Sequence, residues 1–335
     1  MTASIRVETI TLGDELLLGI RENAHLTYLG KQLAHHGIEP AANLVIRDQA
    51  EDIRLFFADC WKRSDLVITT GGLGPTSDDL TRETIAEVLD EELVYDSDVE
   101  NAIRERFRLL ERPMPESNNR QSYRPASAEV LSNPYGTAPG LYLKKDGKIL
   151  VMLPGPAREM HPMFEQLVVP KLQAEGIFPE VDCYLQLRTA GIGESSLAEK
   201  VEPIFADKEG LIVGYCAHAG MVDLRLSSLD AEILSEETLH QLGDQCRQVL
   251  GEDFACYGER TLAEIIFREL HSLEKTLAVA ESCTGGLLSS HFTEIPGISK
   301  VFQGGAVCYH NDAKVQMLDV PESMLEQHGL SLIHI

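Results

Sequence analysis

The chain has 335 residues, 44% hydrophobic and 24% charged, the profile of a water-soluble globular protein with room for two or three domains. No run approaches the ~18 consecutive apolar residues of a membrane span, and Met1 to Ile10 carries neither a basic nor an apolar export signal. A net charge of −24 opposes attachment to phosphate backbones, so direct nucleic-acid binding is not expected, and seven scattered cysteines without C-x-x-C spacing fit a reducing cytoplasm rather than a disulfide or zinc framework.

In chain order, residues 6–12 (RVETITL) alternate as a strand does. Residues 23–36 place Leu26, Leu29, Leu33 and Ala34 at helical spacing, and Gly37 follows as a C-terminal cap. Residues 43–46 read as a strand, 53–61 as a helix, and 65–70 (DLVITT) as a short apolar strand running into Gly71 and Gly72. Residues 81–89 have helical spacing. Such alternation predicts a mostly parallel sheet with helices on both faces. The stretch 111–139 is rich in Pro, Ser and Asn and is expected to be loops. Residues 148–153 (KILVML) form a buried-strand candidate, followed by a helix over 159–172 despite Pro162 and Pro170. The punctuation at 175–179 suggests a domain boundary. Beyond it come a strand (184–189), a helix (195–205), two strands (211–215 and 221–227) and a helix (235–250), an α+β unit with its own core. A helix near Thr261 and a strand at 276–280 open the last segment.

The stretch 69–79 (TTGGLGPTSDD) is the most informative. An apolar strand delivers the chain to Gly71, Gly72 and Gly74, then Thr76, two carboxylates and a helix. Glycines allow close approach of backbone N–H groups to a phosphate, and Asp78 and Asp79 can hold a hard cation such as Mg²⁺. The plainer alternative is a strand-to-helix turn in which Ser77 or Asp78 caps the helix. Gly13, Asp14 and Glu15 end the first strand, where ligands of such sheets bind, or else they are only the acidic first turn of a helix. In the middle, 188–195 (RTAGIGES) reads as a tight turn with Ser195 as cap, and Cys216 and His218 as ordinary hairpin residues. Near the end, 280–286 (AESCTGG) follows a strand and opens a helix, which leaves a hydroxyl exposed beside backbone N–H groups. Residues 304–314 form a strand running into a helix, bringing Tyr309 and Lys314 towards the same sheet edge, and a buried lysine can serve as base to a serine. Alternatively Ser282 and Thr284 are caps and Lys314 a solvated residue.

The runs 9–19 (TITLGDELLLG) with Asn23, 66–79 (LVITTGGLGPTSDD), 135–140 (YGTAPG) and 153–160 (LPGPAREM) resemble, in order, the domain that opens the CinA (competence/damage-inducible protein A) family. The resemblance implies an α/β fold with three parts. These are a three-layer molybdopterin-binding-like domain over 1–174, a KH-like α+β middle unit over 175–258, and an α/β amidohydrolase domain from 259 to 335. It implies metal-dependent hydrolysis of a nucleotide diphosphate such as ADP-ribose. Gly71, Gly72, Gly74 and Thr76 would cradle the diphosphate, with Gly155 and Glu159 closing the pocket. Asp79, Asp78 and Asp14 would hold a divalent ion of the Mg, Mn or Co type. AESCTGG and the later Y-x-N-x-A-K (309–314) resemble the family's nicotinamide-mononucleotide deamidase domain. That likeness makes Ser282 the nucleophile, Lys314 its base and Tyr309 an assistant, with Thr284, Gly285 and Gly286 binding phosphate or oxyanion. Only 75 residues run from Thr261 to the end, and the apolar 330–335 does not match the family continuation, so this last domain is expected to be truncated and inactive. A homodimer acting on a small nucleotide is expected. A non-catalytic pterin- or nucleotide-binding module, or an accessory of competence or DNA damage, is the alternative.

Overall fold

Apolar alternation over the first half of the chain becomes a sheet with helices on its two faces. The computed structural model describes residues 5–179, 184–228 and 234–328. Contacts group the chain into two compact units, 1–184 with 207–212 and 226–241, and 185–206 with 213–225 and 242–335.

The first runs β1 (Val7–Leu12), α1 (Asp14–Leu17), α2 (Ala24–His35), β2 (Ala42–Ile46), α3 (Ala50–Arg63), β3 (Leu66–Thr70) and α4 (Thr81–Val88). It continues with β4 (Leu93–Tyr95), α5 (Ser97–Leu109), β5 (Tyr123–Pro125), β6 (Glu129–Leu131), β7 (Gly140–Lys145), β8 (Lys148–Leu153), α6 (Ala157–Met163) and α7 (Val169–Ala174). The main sheet has the order β2-β1-β3-β8-β7-β6. Its first four strands are mutually parallel, whereas β7 and β6 join antiparallel. Because side chains alternate across a strand, Val7, Leu66 and Ile68 pack with Leu29, Leu33 and Phe164 on one face. Ile10, Leu12 and Val67 pack with Ile53, Phe57 and Ile85 on the other. The result is three layers, helix on sheet on helix.

Local chemistry sets the ends of these elements. Asn23 caps α2, its side-chain oxygen accepting from Leu26 N at 3.1 Å. The expected helix over 159–172 is interrupted by a π-helical turn at Phe164–Val168, just after Pro162, which has no N–H for the ladder. Pro170 is accommodated in the first turn of α7. The stretch 111–139 is not loop throughout. It holds a 3₁₀ segment (Glu116–Ser122), β5 paired with β4, and β6 at the edge of the main sheet. Helix α5 lay outside the sequence expectations.

The remaining elements are β9 (Tyr184–Ala190), α8 (Glu194–Phe205), β10 (Leu211–His218), β11 (Met221–Ser228), α9 (Glu236–Leu250) and β12 (Phe254–Tyr257). Their sheet has the order β10-β11-β9-β12. Then follow α10 (Leu262–Ser272), β13 (Leu277–Glu281), α11 (Leu287–Thr293), β14 (Phe302–Val307), α12 (Asn311–Leu318) and α13 (Glu322–His328), with β13 and β14 a parallel pair. Helix α8 is capped at Gly193, without a side-chain bond, so Ser195 is not the cap that the sequence suggested. Among the described residues no helix is long and apolar enough to cross a membrane. The apolar stretch 330–335 lies outside the described residues.

Candidate functional site

Loops that follow β1, β2, β3 and β8 meet at the carboxyl ends of these parallel strands and line a cleft of about 600 Å³. The turn after β3 is the tightest of them. Gly71 and Gly72 adopt φ of 99° and 66°, a region that disfavours any side chain. A Cβ on Gly71 would stand 2.8 Å from the Leu12 carbonyl, and one on Gly72 would collide with the Thr81 hydroxyl. Gly74 is pressed against the Asp79 carboxylate in the same way. These glycines therefore have a steric reason within the protein, and all three also line the cleft.

Asp79 organises the turn. Its Oδ2 accepts from Thr76 N at 2.9 Å and from the Thr76 hydroxyl. Thr76 thus serves Asp79 and is not among the cleft-lining residues. Helix α4 begins after Leu80 with no side-chain cap, so neither Ser77 nor Asp78 has the capping role. The turn is clamped from the 3₁₀ segment. Arg120 donates to the carbonyls of Thr76 and of Asp79 (3.0 Å), and Gln121 Nε2 donates to Leu73 O at 3.1 Å.

Carboxylates crowd the cleft. Glu15, Glu22, Asp48, Asp78, Asp79 and Glu159 line it, with Arg21 the cationic side chain among the liners. Asp14, expected as a metal ligand, stands in α1 beside the cleft rather than in its lining, and Glu15 takes that place. Burial first, then the charges of Asp14, Glu15, Asp79 and Asp78, push the Asp48 carboxyl up to about 6. The Asp78 carboxyl is held below the usual range, chiefly by its hydrogen bond with Thr76. Asp48 was missed from sequence. Applying the strand-end rule to β2 as well as to β1 and β3 would have found it. Among the described residues no group of three or more His, Cys, Asp or Glu is placed to hold a metal ion alone.

His25 bridges two of the loops. Its Nδ1 lies 2.9 Å from the Thr70 hydroxyl, its ring bonds the Gly155 backbone, and burial lowers its pKa. Glu159 is buried, its Oε2 accepting from Asn133 Nδ2 at 2.8 Å. Gly136 packs so closely on this carboxylate that a Cβ there would overlap it. Gly155 and Glu159 both line the cleft.

In the other unit, β13 and β14 end side by side, which puts Ser282 and the stretch from Tyr309 to Lys314 at one edge. The organising group is Glu281, to which the sequence reading gave no role. Its carboxylate accepts from Ser289 Oγ (2.5 Å) and N (2.8 Å), Thr284 Oγ1 (2.8 Å), Leu288 N (2.9 Å) and Gly286 N (3.1 Å). These bonds, led by that from Ser289, bring its carboxyl down to about 2. Gly285 and Gly286, expected to bind phosphate or oxyanion, direct their amides into the loop itself. Gly285 N donates to Ser282 O at 3.1 Å and Gly286 N to Glu281, so both amides are engaged inside the loop, as is the Thr284 hydroxyl. Tyr309 is 75% exposed. Lys314 sits in α12, half-buried. In the middle sheet, Arg188 forms a bidentate pair with Asp223 (2.7 Å each), and His218 Nε2 meets Asp223 Oδ2 at 3.1 Å. His218 is thus part of a structural ion-pair network.

The three layers and the strand-end cleft make the N-terminal part an α/β domain that resembles the molybdopterin-binding fold. Residues 8–174 match the family described as probable molybdopterin binding domain. Residues 186–258 match the damage-inducible protein CinA KH domain, and 259–331 the CinA C-terminal domain. The chain belongs to the CinA-like, competence-damage inducible family. It is 40% identical over 329 residues to a CinA-like protein of Kosmotoga olearia, covering 97% of this chain and 79% of that one. It is 39% identical over 324 residues to a relative from Caldicellulosiruptor bescii that carries the name competence-damage inducible protein, covering 96% and 78%. The protein CinA with unknown function from Thermoplasma acidophilum, a solved structure, aligns at 30% identity and a TM-score of 0.47, over 50% of this chain and 98% of its own.

Proposed function

We propose that the N-terminal cleft hydrolyses a nucleotide diphosphate of the ADP-ribose kind with the help of a divalent metal ion. The observation that carries this reading is the convergence of Glu15, Asp48, Asp78 and Asp79 on one cleft walled by a glycine turn. Left to themselves these charges repel one another and any phosphate. That donor set fits a hard cation. Because no three-ligand cage is present among the described residues, one or two of these carboxylates, Asp79 with Asp78, would hold an ion that keeps several waters. Such an ion, when bound, neutralises phosphoryl charge and lowers the pKa of water.

The residues themselves orient and move protons. Thr76 fixes Asp79 through Oδ2. Arg120 and Gln121 hold the turn through its backbone carbonyls. His25 keeps the Thr70 and Gly155 loops at a set separation. Asp48, a carboxylate in the lining of the same cleft, is positioned to take the proton of the attacking water. Water adds to one phosphorus, the phosphoanhydride bond breaks, and AMP and ribose 5-phosphate leave.

The test is release of AMP from ADP-ribose by the purified chain, with and without Mg²⁺, Mn²⁺ or Co²⁺, beside Asp48→Asn and Asp79→Ala. Metal-dependent release that both substitutions abolish supports the reading. Turnover that persists in chelator, or in both variants, refutes it. Nicotinamide mononucleotide in the same assay is expected to yield no ammonia, because the amides of Gly285 and Gly286 are already engaged.

A further inference from the structure

Six carboxylates line the strand-end cleft, and Arg21 is the cationic side chain among them. In such a field a guanidinium is drawn onto a neighbouring carboxylate. Arg47, Arg54 and Arg63 of the same domain are each paired in this way, at 2.5, 2.8 and 2.7 Å. Arg21 is not. Among the described residues its side chain makes no ion pair and no hydrogen bond. The donors of its guanidinium are left open to a ligand.

The backbone that carries Arg21 is fixed on both sides. After α1 the chain turns back at Gly19, with φ of 69°. Ile20 N and Arg21 N then donate to Glu15 O, at 2.9 and 3.3 Å. Two residues further on, Asn23 caps α2, and its Nδ2 donates to Thr11 Oγ1 (3.5 Å) and Asn43 Oδ1 (3.4 Å). A free guanidinium is thus held at the cleft by a segment tied to α1 behind it and to β1 and β2 ahead of it.

The distribution of charge points to the ligand. Asp78 and Asp79 come from the loop after β3, and Arg21 from the loop after β1, the neighbouring strand. With a divalent ion held at Asp79 and Asp78, the charge of one phosphoryl group is met there. A second phosphoryl group still faces the remaining carboxylates and needs a cation of the protein's own. The planar fork of a guanidinium donates two parallel bonds to the oxygens of one such group. We propose that Arg21 is the anion anchor of the cleft, holding the phosphoryl group of a diphosphate that the metal ion does not hold. The inference rests on the hydrolase reading for the metal ion and the diphosphate. It makes Arg21 a specificity-determining residue, favouring ligands with two phosphoryl groups over those with one.

Calorimetry in Mg²⁺ would compare AMP, which has one phosphoryl group, with α,β-methylene ADP-ribose, whose bridging carbon blocks cleavage. Arg21→Gln removes the charge and Arg21→Lys keeps it without the fork. Arg112→Gln, at an exposed arginine outside the cleft lining, controls for the change in net charge. A hydrogen-bonded charge at such a site contributes about tenfold or more in affinity. Arg21→Gln is expected to weaken the methylene analogue by about tenfold and AMP by less than about twofold. Arg21→Lys should fall between wild type and Arg21→Gln, and Arg112→Gln should change neither ligand. Unchanged affinity for the analogue in Arg21→Gln, an equal loss for AMP, or an equal loss in Arg112→Gln overturns the inference. Binding that responds to Arg21→Gln, with no AMP formed from ADP-ribose itself, would refute hydrolysis and leave the anchor standing. Failure of the wild type to bind either ligand overturns both.

Discussion

Glu8 lies in β1 with its side chain fully buried, facing the α3 layer. Arg63 of α3 grips it bidentately, with Nε and Nη2 each at 2.7 Å, and Arg6 adds a third contact at 2.8 Å. The Arg63 hydrogen bond, first among the causes, holds the Glu8 carboxyl down to about 2 from an ordinary 4.5. At ~1.4 kcal/mol per tenfold change in proton affinity, that difference corresponds to about 3 kcal/mol of folding stability. The Arg63 side chain is 40% exposed, and screening by water reduces the figure to about 2 kcal/mol. Because the carboxyl is more acidic in the folded chain, this stabilisation is complete above pH 4.5 and fades as pH falls towards 2. Glu8→Gln keeps the shape and removes the charge. Urea unfolding read by Trp61, the single tryptophan and a residue of α3, should show the variant about 2 kcal/mol less stable at pH 7. Near pH 3 the difference should be less than about half of that. A variant as stable as wild type at pH 7, or a deficit that stays constant down to pH 3, would show that the ion pair does not act as argued.

Asp48 predicts the opposite sign. Its carboxyl is raised from 3.8 to about 6, so ionisation in the folded state costs stability progressively as pH rises through that window. Asp48→Asn should therefore stabilise the Trp61-reported transition at pH 7 by about 1–2 kcal/mol while abolishing AMP release, and a destabilised variant would contradict the crowding of charge. Gly136→Ala places a methyl group on the Glu159 carboxylate. A loss of about 2 kcal/mol in the same transition is expected, and Gly147→Ala makes a useful contrast because its Cβ meets no neighbour and only its positive φ is strained. In the other unit, Glu281→Ala should speed amide exchange at Gly286, Leu288 and Ser289 by about tenfold or more, read by hydrogen exchange. Unchanged protection at those three amides would show that the carboxylate is not what orders the loop.

Elements whose apolar residues repeat with a clear period were legible in the sequence. β1, β3 and β8 read as strands because residues such as Val7, Ile10, Val67, Ile68 and Leu150 fill both faces of one sheet. Helix α5 (SDVENAIRERFRL) was not legible. Only Val99 and Ile103 of it are buried, too few to mark a period among charged residues. β5 and β6 are three residues each and sit among Pro, Ser and Asn, where composition favours loops. The glycine turn announced the cleft, because close packing at Gly71 and Gly72 excludes any side chain there. Asp48 and Glu281 stayed hidden for a common reason. Each is a lone acidic residue at a strand end, and its importance comes from what folding brings to it: four carboxylates around Asp48, and five donors on Glu281.

The charge balance bears on how the proposed reaction would begin. A chain of net charge −24 repels a free nucleotide diphosphate at long range, and the carboxylates of the cleft sharpen that repulsion at short range. Arg21 alone among the lining cations cannot reverse the field. On the hydrolase reading, the species expected to enter is the metal–nucleotide complex, whose charge is already reduced, rather than the free anion followed by metal. Capture of that complex would also relieve the mutual repulsion that pushes Asp48 up to about 6. On the hydrolase reading, the same carboxylates that destabilise the empty cleft select a substrate that arrives with its counterion. Free ADP-ribose in chelator should then bind far more weakly than the Mg²⁺ complex.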